Sequence, residues 1–237
     1  MPNININNLN LYYEVVGEGK PLVMVHGNGE DHKIFDKAVS LLKDRFTCYL
    51  IDSRGHGKSE KVKEFHYADM ADDIYKFISS LNLKDVSYYG FSDGGIIGLL
   101  LAINHGEVLE RMIISGANTS PQMIKPRLIK VFKFINRIHY NPLFALMLNE
   151  PDIKKEDLEK INIPVLVLAG DKDLVLEEDT RFIARNIPYA TLKILKGESH
   201  TSYIVHSEKI AHEILNYCVS QLFFHLFSTF YHFLQKK

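Results

Sequence analysis

Short apolar runs alternate with longer amphipathic segments along most of the chain. Six runs have the length and residue types of buried strands, and they cover residues 22–26, 47–51, 86–89, 111–115, 164–169 and 191–195. Between them, apolar positions at helical spacing predict helices at about 32–43, 67–81, 95–104, 177–186 and 208–221. At the N-terminus, residues 4–6 and 11–16 flank an Asn-rich turn, which predicts an antiparallel hairpin. The whole pattern predicts an α/β fold: an eight-stranded, mostly parallel sheet with helices on both faces.

The alternation stops between residues 117 and 163, where three helical pieces are predicted instead. They cover residues 126–140, 142–149 and 154–160, and the first carries apolar residues among lysines and arginines. An insertion after the carboxyl end of a strand can cover the crevice where open α/β sheets bind ligands. We therefore expect a short helical lid at about 117–163. The alternative is that these helices only pack against the sheet.

An aromatic-rich extension at about 222–237 follows the last predicted helix. It is too short and too polar to span a bilayer, which needs about 20 apolar residues. Packing on the rest of the chain is the favoured role, with a dimer contact or a membrane contact as alternatives. A homodimer through the lid or through this extension is thus one open possibility.

Composition narrows the class of protein. A chain of 237 residues fits one domain of this fold, and we treat 1–237 as a single domain. Its 28 basic and 29 acidic residues nearly cancel, so the sequence lacks the basic signature of nucleic-acid binding. Cys48 and Cys218 both lie in apolar runs and are expected to be free thiols, typical of a reducing compartment. With no signal-peptide pattern at the N-terminus, we expect a cytoplasmic location.

The pentapeptide Gly90-Phe91-Ser92-Asp93-Gly94 lies between a predicted strand and a predicted helix. This is the G-x-S-x-G nucleophile elbow, in which a serine stands on a sharp strand-to-helix turn. Small residues two positions before and after the serine avoid a collision across the turn. The pattern alone is weak, because glycine and serine are common in loops.

A nucleophilic serine needs a general base, and the base needs a partner that orients it. Two segments follow predicted strands at the same sheet edge as Ser92. One carries Asp171 and Asp173, and the other ends at His200. The order serine, aspartate, histidine is the one expected for an elbow on a parallel sheet. Of the other ten histidines, His206 is the nearest in sequence, at the start of a predicted helix.

Five motifs together resemble the α/β-hydrolase superfamily over nearly the whole chain. They are the elbow, His26-Gly27-Asn28-Gly29, residues 52–59 (DSRGHGKS), residues 170–173 (GDKD) and residues 197–200 (GESH). The resemblance implies that Asp173 is the catalytic acid and His200 the general base, while Asp171 shapes the turn. It also implies that His26 and His56 brace the backbone.

The oxyanion hole of such an elbow consists of two backbone N–H groups, one from the residue after the serine and one from the loop after the third strand. In this sequence those residues are Asp93 and Asn28. No cofactor is needed for such hydrolysis. We expect no metal either, because His26, Asp31 and His32 are close in sequence but lack the pattern of a ligand set.

Asp93 is an unusual neighbour for a nucleophile, because its carboxylate opposes the charge that develops on an oxyanion. We therefore expect its side chain to point away or to be paired. An acid in the first turn of a helix is also favourable by itself. The functional alternative is that Asp93 attracts a cationic group, such as the ammonium of an amino-acid ester or amide.

These residues predict a cofactor-independent serine hydrolase that forms an acyl-enzyme from a small ester, thioester or amide. Candidates for contact with this small acyl substrate are Asp93, Phe132, Phe144 and Met147. Two alternatives stay open. The same triad occurs in relatives that hydrolyse carbon–carbon bonds or perform cofactor-free peroxide chemistry, and a sensor can keep the triad and signal through a partner protein.

Overall fold

A computed structural model of the protein describes residues 3–218. Its centre is one sheet, with strands β1 (Asn3–Ile6), β2 (Leu9–Val16), β3 (Lys20–Val25), β4 (Phe46–Ile51), β5 (Val86–Phe91), β6 (Leu109–Ser115), β7 (Val165–Lys172) and β8 (Ala190–Ser199). The spatial order is β1-β2-β4-β3-β5-β6-β7-β8. The pairs β1–β2 and β2–β4 are antiparallel, and the other five are parallel. The eight-stranded, mostly parallel sheet and its N-terminal hairpin are thus confirmed.

Along residues 3–218 the α-helices that we number are α1 (Asp36–Leu42), α2 (Tyr67–Ser80), α3 (Asp93–His105), α4 (Pro126–Ile138), α5 (Pro142–Asn149), α6 (Lys155–Leu158) and α7 (Glu177–Asn186). Residues 209–218 are also helical. The helix predicted at 32–43 instead begins as the 3₁₀ turn His32–Phe35, and α1 follows it. The side chain of Asp31 accepts a hydrogen bond from the Lys33 amide and so caps this turn.

The core lies on both faces of the sheet, as period-two alternation along the strands requires. In β3, Val23 and Val25 point to a cluster that includes residues of α2, α3 and α7. Leu22 and Met24 point to the other cluster, under α1 and residues 209–218. Helices on both faces are therefore confirmed, and the central strands are apolar on both sides because both sides are covered.

The segment between β6 and β7 carries the three predicted helices, with α4 and α6 shorter than expected. Leu158 of α6 is fully buried and belongs to the main core. In contrast, α4 has no buried residue and contacts α5 and the 3₁₀ turn Pro121–Met123. Only part of the segment therefore lies outside the sheet-and-helix body.

Within residues 3–218, no helix has both the length and the apolar character needed to cross a bilayer. The aromatic extension predicted at about 222–237 lies outside the described residues.

Candidate active site

Ser92 occupies the turn between β5, which ends at Phe91, and α3, which begins at Asp93. Its backbone has φ 52° and ψ −113°, a region that is costly for any residue with a Cβ atom. A Cβ atom on Gly90 would lie 2.1 Å from the carbonyl oxygen of Gly94, and one on Gly94 would lie 2.1 Å from that of Val25. Both flanking positions therefore require glycine because neighbouring backbone fills the space.

The structure brings together the side chains predicted as nucleophile, general base and catalytic acid. We call Ser92, His200 and Asp173 the relay. Nε2 of His200 lies 3.0 Å from Oγ of Ser92. Its Nδ1 lies 2.6 Å from Oδ1 of Asp173. Oδ1 of Asp173 also accepts a hydrogen bond from the Val175 amide at 3.0 Å. The carboxylate is 3% exposed, so solvent screens its contact with the imidazole little.

Strand register explains why Asp173 and His200 meet. The strands predicted to end at residues 169 and 195 are longer than expected, because β7 and β8 continue to Lys172 and Ser199. Lys172 and Ser199 pair with each other across an irregularity in the ladder. Asp173 directly follows Lys172, and His200 directly follows Ser199. The pairing of the two strand ends therefore sets the side chains of Asp173 and His200 beside each other. Asp171 supports this pairing by accepting a hydrogen bond from the Gly197 amide at 2.9 Å.

Gly116, in the loop after β6, leaves room for the ring of His200. Its φ is +63°, and a Cβ atom there would lie 2.6 Å from Cε1 of His200. This contact was not predicted from the sequence. The only signal was a glycine directly after a buried strand.

The two amides predicted to form an oxyanion hole are both available. Asn28 and Asp93 line the same cavity as Ser92, and neither backbone N–H donates a hydrogen bond within residues 3–218. The Gly94 amide instead donates to the carbonyl oxygen of His26 at 3.1 Å. That bond ties the elbow to the loop after β3, which carries Asn28.

The Asp93 side chain is buried and paired, in agreement with the expectation from its position. Its Oδ2 accepts a hydrogen bond from Nδ2 of Asn28 at 2.9 Å, and its Oδ1 accepts one from the Tyr67 hydroxyl at 2.8 Å. Burial raises the pKa of Asp93, and the two hydrogen bonds oppose that rise. Tyr67, at the start of α2, was not predicted to be near the site.

Two further carboxylates at this cavity were not predicted. Glu30 accepts a hydrogen bond from the Gly27 amide at 3.0 Å, and burial raises its pKa. Glu150 lies 2.6 Å from Nδ1 of His66 and accepts a hydrogen bond from the Tyr67 amide at 3.0 Å. The hydrogen bond to Glu150 raises the pKa of His66.

The cavity in front of Ser92 has a volume of about 250 Å³. Its wall includes the three apolar residues predicted to contact substrate: Phe132, Phe144 and Met147. The rings of Phe132 and Phe144 are stacked, with centroids 5.4 Å apart. Because α4 carries Phe132 and α5 carries Phe144 and Met147, both helices form part of the cavity wall. Among the described residues, the lining includes no lysine or arginine.

The competing histidines have structural partners. Nε2 of His26 accepts a hydrogen bond from the Ser53 amide at 3.1 Å, and burial lowers the pKa of His26 to about 4. The ring of His56 packs 5.1 Å from that of His26. His206 lies in the turn just before the helix of residues 209–218, and its Nδ1 is 2.9 Å from Oδ1 of Asp36.

Asp31, His32 and Asp52 place potential ligand atoms within 4.8 Å of one another. These atoms already have partners. Oδ1 of Asp52 lies 2.7 Å from Nδ1 of His32 and also accepts a hydrogen bond from the His32 amide. The other ring nitrogen of His32 lies 3.1 Å from Glu14. The contacts between His32 and Asp52 connect the segment after β3 to the loop after β4, which is a structural role.

The sequence matches the family model of the alpha/beta hydrolase fold over residues 20–138, which is just over half of the chain. The matched region contains the elbow and the loop that carries Asn28. The chain belongs to the alpha/beta hydrolase family. Asp173 and His200 lie beyond the matched region.

Two curated members of this family match over most of the chain. AB hydrolase superfamily protein YisY of Bacillus subtilis (strain 168) is 26% identical over 247 residues, covering 84% of this chain and 92% of that protein. Serine hydrolase BPHL of Homo sapiens is 27% identical over 235 residues, covering 85% of this chain and 80% of that protein.

Solved structures of family members superpose along nearly the whole length. An esterase from Exiguobacterium antarcticum has a TM-score of 0.77 at 24% identity, covering 91% of this chain and 98% of its own. An enol-lactonase from Burkholderia xenovorans LB400 has a TM-score of 0.77 at 21% identity, covering 92% of this chain and 100% of its own. At these identities the likeness shows the fold.

Proposed function

We propose that the chain is a cofactor-independent serine hydrolase that cleaves a small ester, thioester or amide through an acyl-enzyme. The observation that carries the proposal is the hydrogen-bonded series Ser92–His200–Asp173. Ser92 and His200 share a cavity with Asn28 and Asp93, whose backbone amides donate no hydrogen bond within residues 3–218. A curated relative named as a serine hydrolase supports the same reaction class.

In the first half-reaction, Oγ of Ser92 attacks the substrate carbonyl while Nε2 of His200 takes its proton. The carboxylate of Asp173 holds Nδ1–H of His200 and stabilises the imidazolium that forms. Negative charge develops on the carbonyl oxygen, where the amides of Asn28 and Asp93 donate to it. Each such donor is worth roughly 3 kcal/mol of transition-state stabilisation. The carbonyl then re-forms as the bond from the acyl carbon to the leaving group breaks, and His200 gives its proton to the departing oxygen, sulfur or nitrogen, which leaves the acyl-enzyme.

The second half-reaction repeats these steps with water as the nucleophile. His200 takes a proton from water, and the hydroxide attacks the acyl carbon. When the C–O bond to Ser92 breaks, the proton on His200 passes to Oγ of Ser92. The acid is released, and the enzyme returns to its starting state.

The cavity indicates a short acyl group. Its volume of about 250 Å³ is below the roughly 300–1,000 Å³ usual for drug-sized ligands. Phe132, Phe144 and Met147 provide an apolar part of the wall. We therefore place the acyl chain against α4 and α5, and we expect kcat/KM to fall as that chain lengthens.

A panel of p-nitrophenyl esters from acetate to octanoate, with matched thioesters and amides, tests this function. We expect turnover of the short members, and Ser92→Ala should lower kcat by about 10⁴-fold or more. Ser40→Ala on the exposed surface of α1 is the matched control and should match the wild type. Full turnover by Ser92→Ala, or a wild type inert toward the whole panel, would contradict the proposal; the second result would favour the sensor alternative.

A second candidate concerns the substrate rather than the reaction: an ester or amide that carries an amino group. Asp93, Glu30 and Glu150 all line the cavity, and no lysine or arginine of the described residues joins them. A cation about 5 Å from one carboxylate, at an effective dielectric constant near 20, gains roughly 3 kcal/mol. This is about a hundredfold in affinity.

Matched esters with and without an α-amino group test this candidate separately. We expect a preference of up to about a hundredfold in kcat/KM for the amino ester. Asp93→Asn should reduce that preference while changing the uncharged ester only a few-fold. Equal efficiency on both esters would remove the candidate and leave the serine hydrolase proposal intact.

A further inference from the structure

Most of the exposed large apolar side chains of the described chain lie on or next to α4. Among residues 3–218, seven large apolar side chains are strongly exposed, and five of them lie between residues 131 and 140. They are Val131, Phe134, Ile135, Ile138 and Tyr140. Phe134 is 65% exposed and Ile138 71% exposed. Single exposed apolar residues are ordinary, but a contiguous set indicates an interaction surface.

Helical spacing gathers four of these residues into one stripe. Positions 131, 134, 135 and 138 follow the i, i+3, i+4, i+7 pattern and so share one side of α4. The inner side of the helix consists of half-buried Leu128, Ile129, Phe132 and Asn136. Packing against α5 therefore accounts for the inner side only. The outer stripe has no partner among the described residues.

Positive charge flanks the stripe. Lys125, Arg127, Lys130, Lys133 and Arg137 lie within or next to α4, and residues 111–149 contain no aspartate or glutamate. The chain as a whole has a net charge of −1, so these five cations leave a charge of −6 on the rest of it.

None of the five cations forms an ion pair with a carboxylate of residues 3–218. By contrast, Arg54, Arg111 and Arg181 each pair with an acid elsewhere on the chain. The cations of α4 are thus free to bind an anionic surface.

We propose that α4 docks this protein on an anionic lipid surface, lying in the plane of the headgroups. A helix with an apolar stripe and a basic flank buries the stripe about 5–10 Å into the interface. Long lysine and arginine side chains reach from that depth to the phosphates. A second copy of α4 is a poorer partner, because a symmetric contact would bring two sets of five cations together.

Docking would also place the candidate active site next to the lipid. The inner side of α4 supplies Phe132 to the cavity wall, and a helix with its side chains is about 10 Å thick. The cavity would then lie about one helix diameter from the headgroups. This inference does not depend on the proposed reaction, because the surface is defined without Ser92.

Vesicle flotation with the full chain tests the proposal. Vesicles of phosphatidylcholine alone are compared with vesicles in which a third of the lipid is phosphatidylserine, at low and high salt. We expect binding to the anionic vesicles that weakens with salt. Neutralising Lys130, Lys133 and Arg137 together to Gln should lower the partition coefficient on the order of 100-fold. Phe134→Ser with Ile138→Ser should lower it by a similar factor.

The matched control is Val15→Ser with Tyr189→Ser, which removes the other two exposed apolar side chains and should leave binding unchanged. Thermal midpoints of all variants exclude unfolding as the cause. Equal binding to neutral vesicles, or full binding by either α4 variant, would overturn the proposal. So would a failure to bind vesicles together with a concentration-dependent dimer that the α4 variants abolish.

Discussion

The sheet edge that carries Ser92 and the outer helix α4 differ in what holds their side chains. At the sheet edge, Asp173 and His200 are buried, and paired strands set their positions. On α4 no residue is buried, and nine of its thirteen residues are exposed. The first region leaves little freedom for substitution, because each side chain is fixed by a neighbour. The second has no packing constraint on its outer side, so its composition points to a partner outside the described residues.

The largest expected effect is at Asp173. Asp173→Asn would present an amide N–H to Nδ1 of His200, so the imidazole would carry its proton on the wrong nitrogen. We expect kcat to fall by about 10³- to 10⁴-fold. Asp171→Asn is the matched control, since Asp171 contacts Gly197 instead; its kcat should stay within a few-fold. An Asp173→Asn enzyme with more than a tenth of the wild-type kcat would break the claim that the sheet edge holds the reacting groups.

Gly116→Ala tests how tightly the sheet edge is packed. The new Cβ atom would lie 2.6 Å from Cε1 of His200 at a φ of +63°, so the imidazole must move. A displacement of about 1 Å can cost on the order of 10²-fold in kcat.

Gly197→Ala is the control for this substitution, because Gly197 also has a positive φ but its Cβ atom would meet nothing within 4 Å. It should lose stability without losing kcat. Equal kcat losses in the two variants would show that backbone strain, and not the contact with His200, is responsible.

Asp93→Asn examines the stability cost of a buried acid in the cavity. Burial raises the pKa of Asp93 above its ordinary value of 3.8, so the folded state favours the protonated carboxyl group. The stabilisation that this preference gives is lost as pH rises through the raised pKa. Asparagine does not titrate, so the variant should be more stable at neutral pH by about 1 kcal/mol. Urea unfolding should show the advantage shrinking toward pH 4. A less stable variant at pH 7 would mean that the bonds from Asn28 and Tyr67 outweigh the cost of burial.

The smallest expected effect concerns the contact between His66 and Glu150, at the end of α5. Glu150 raises the pKa of His66 above its ordinary value of 6.5. The stabilisation by this pair is therefore present below that value and lost as pH rises through the raised pKa. Since the pair is largely exposed, the loss should be under about 1 kcal/mol. Thermal midpoints of the wild type and His66→Asn should converge at high pH; a constant difference would exclude titration of His66.

The sheet was predictable because buried strands leave apolar runs and tight turns leave glycines. The ends of β7 and β8 were not. Lys172 and Ser199 are polar residues at the rim of the sheet, where burial no longer dictates residue type. Pairing across an irregular register leaves no periodic signal in either strand.

The relay could be predicted because each of its residues lies in a recognisable motif or directly after a strand. The wall of the cavity was predicted only in part. Tyr67 precedes Asp93 by 26 positions, and Glu150 follows Tyr67 by 83. Such contacts depend on how α2 and α5 pack, and no local pattern encodes that packing. Phe132 and Phe144 were predictable as apolar positions in a segment at the carboxyl end of a strand.

The most direct test of the central claim is to locate the nucleophile chemically. The protein is treated with a fluorophosphonate probe, and its intact mass is measured by mass spectrometry. It is then digested, and the labelled peptide is identified by tandem mass spectrometry. We expect one adduct per chain, on the peptide that contains Ser92, and slow labelling of His200→Ala. An adduct on another residue, or none on a folded protein, would contradict the claim.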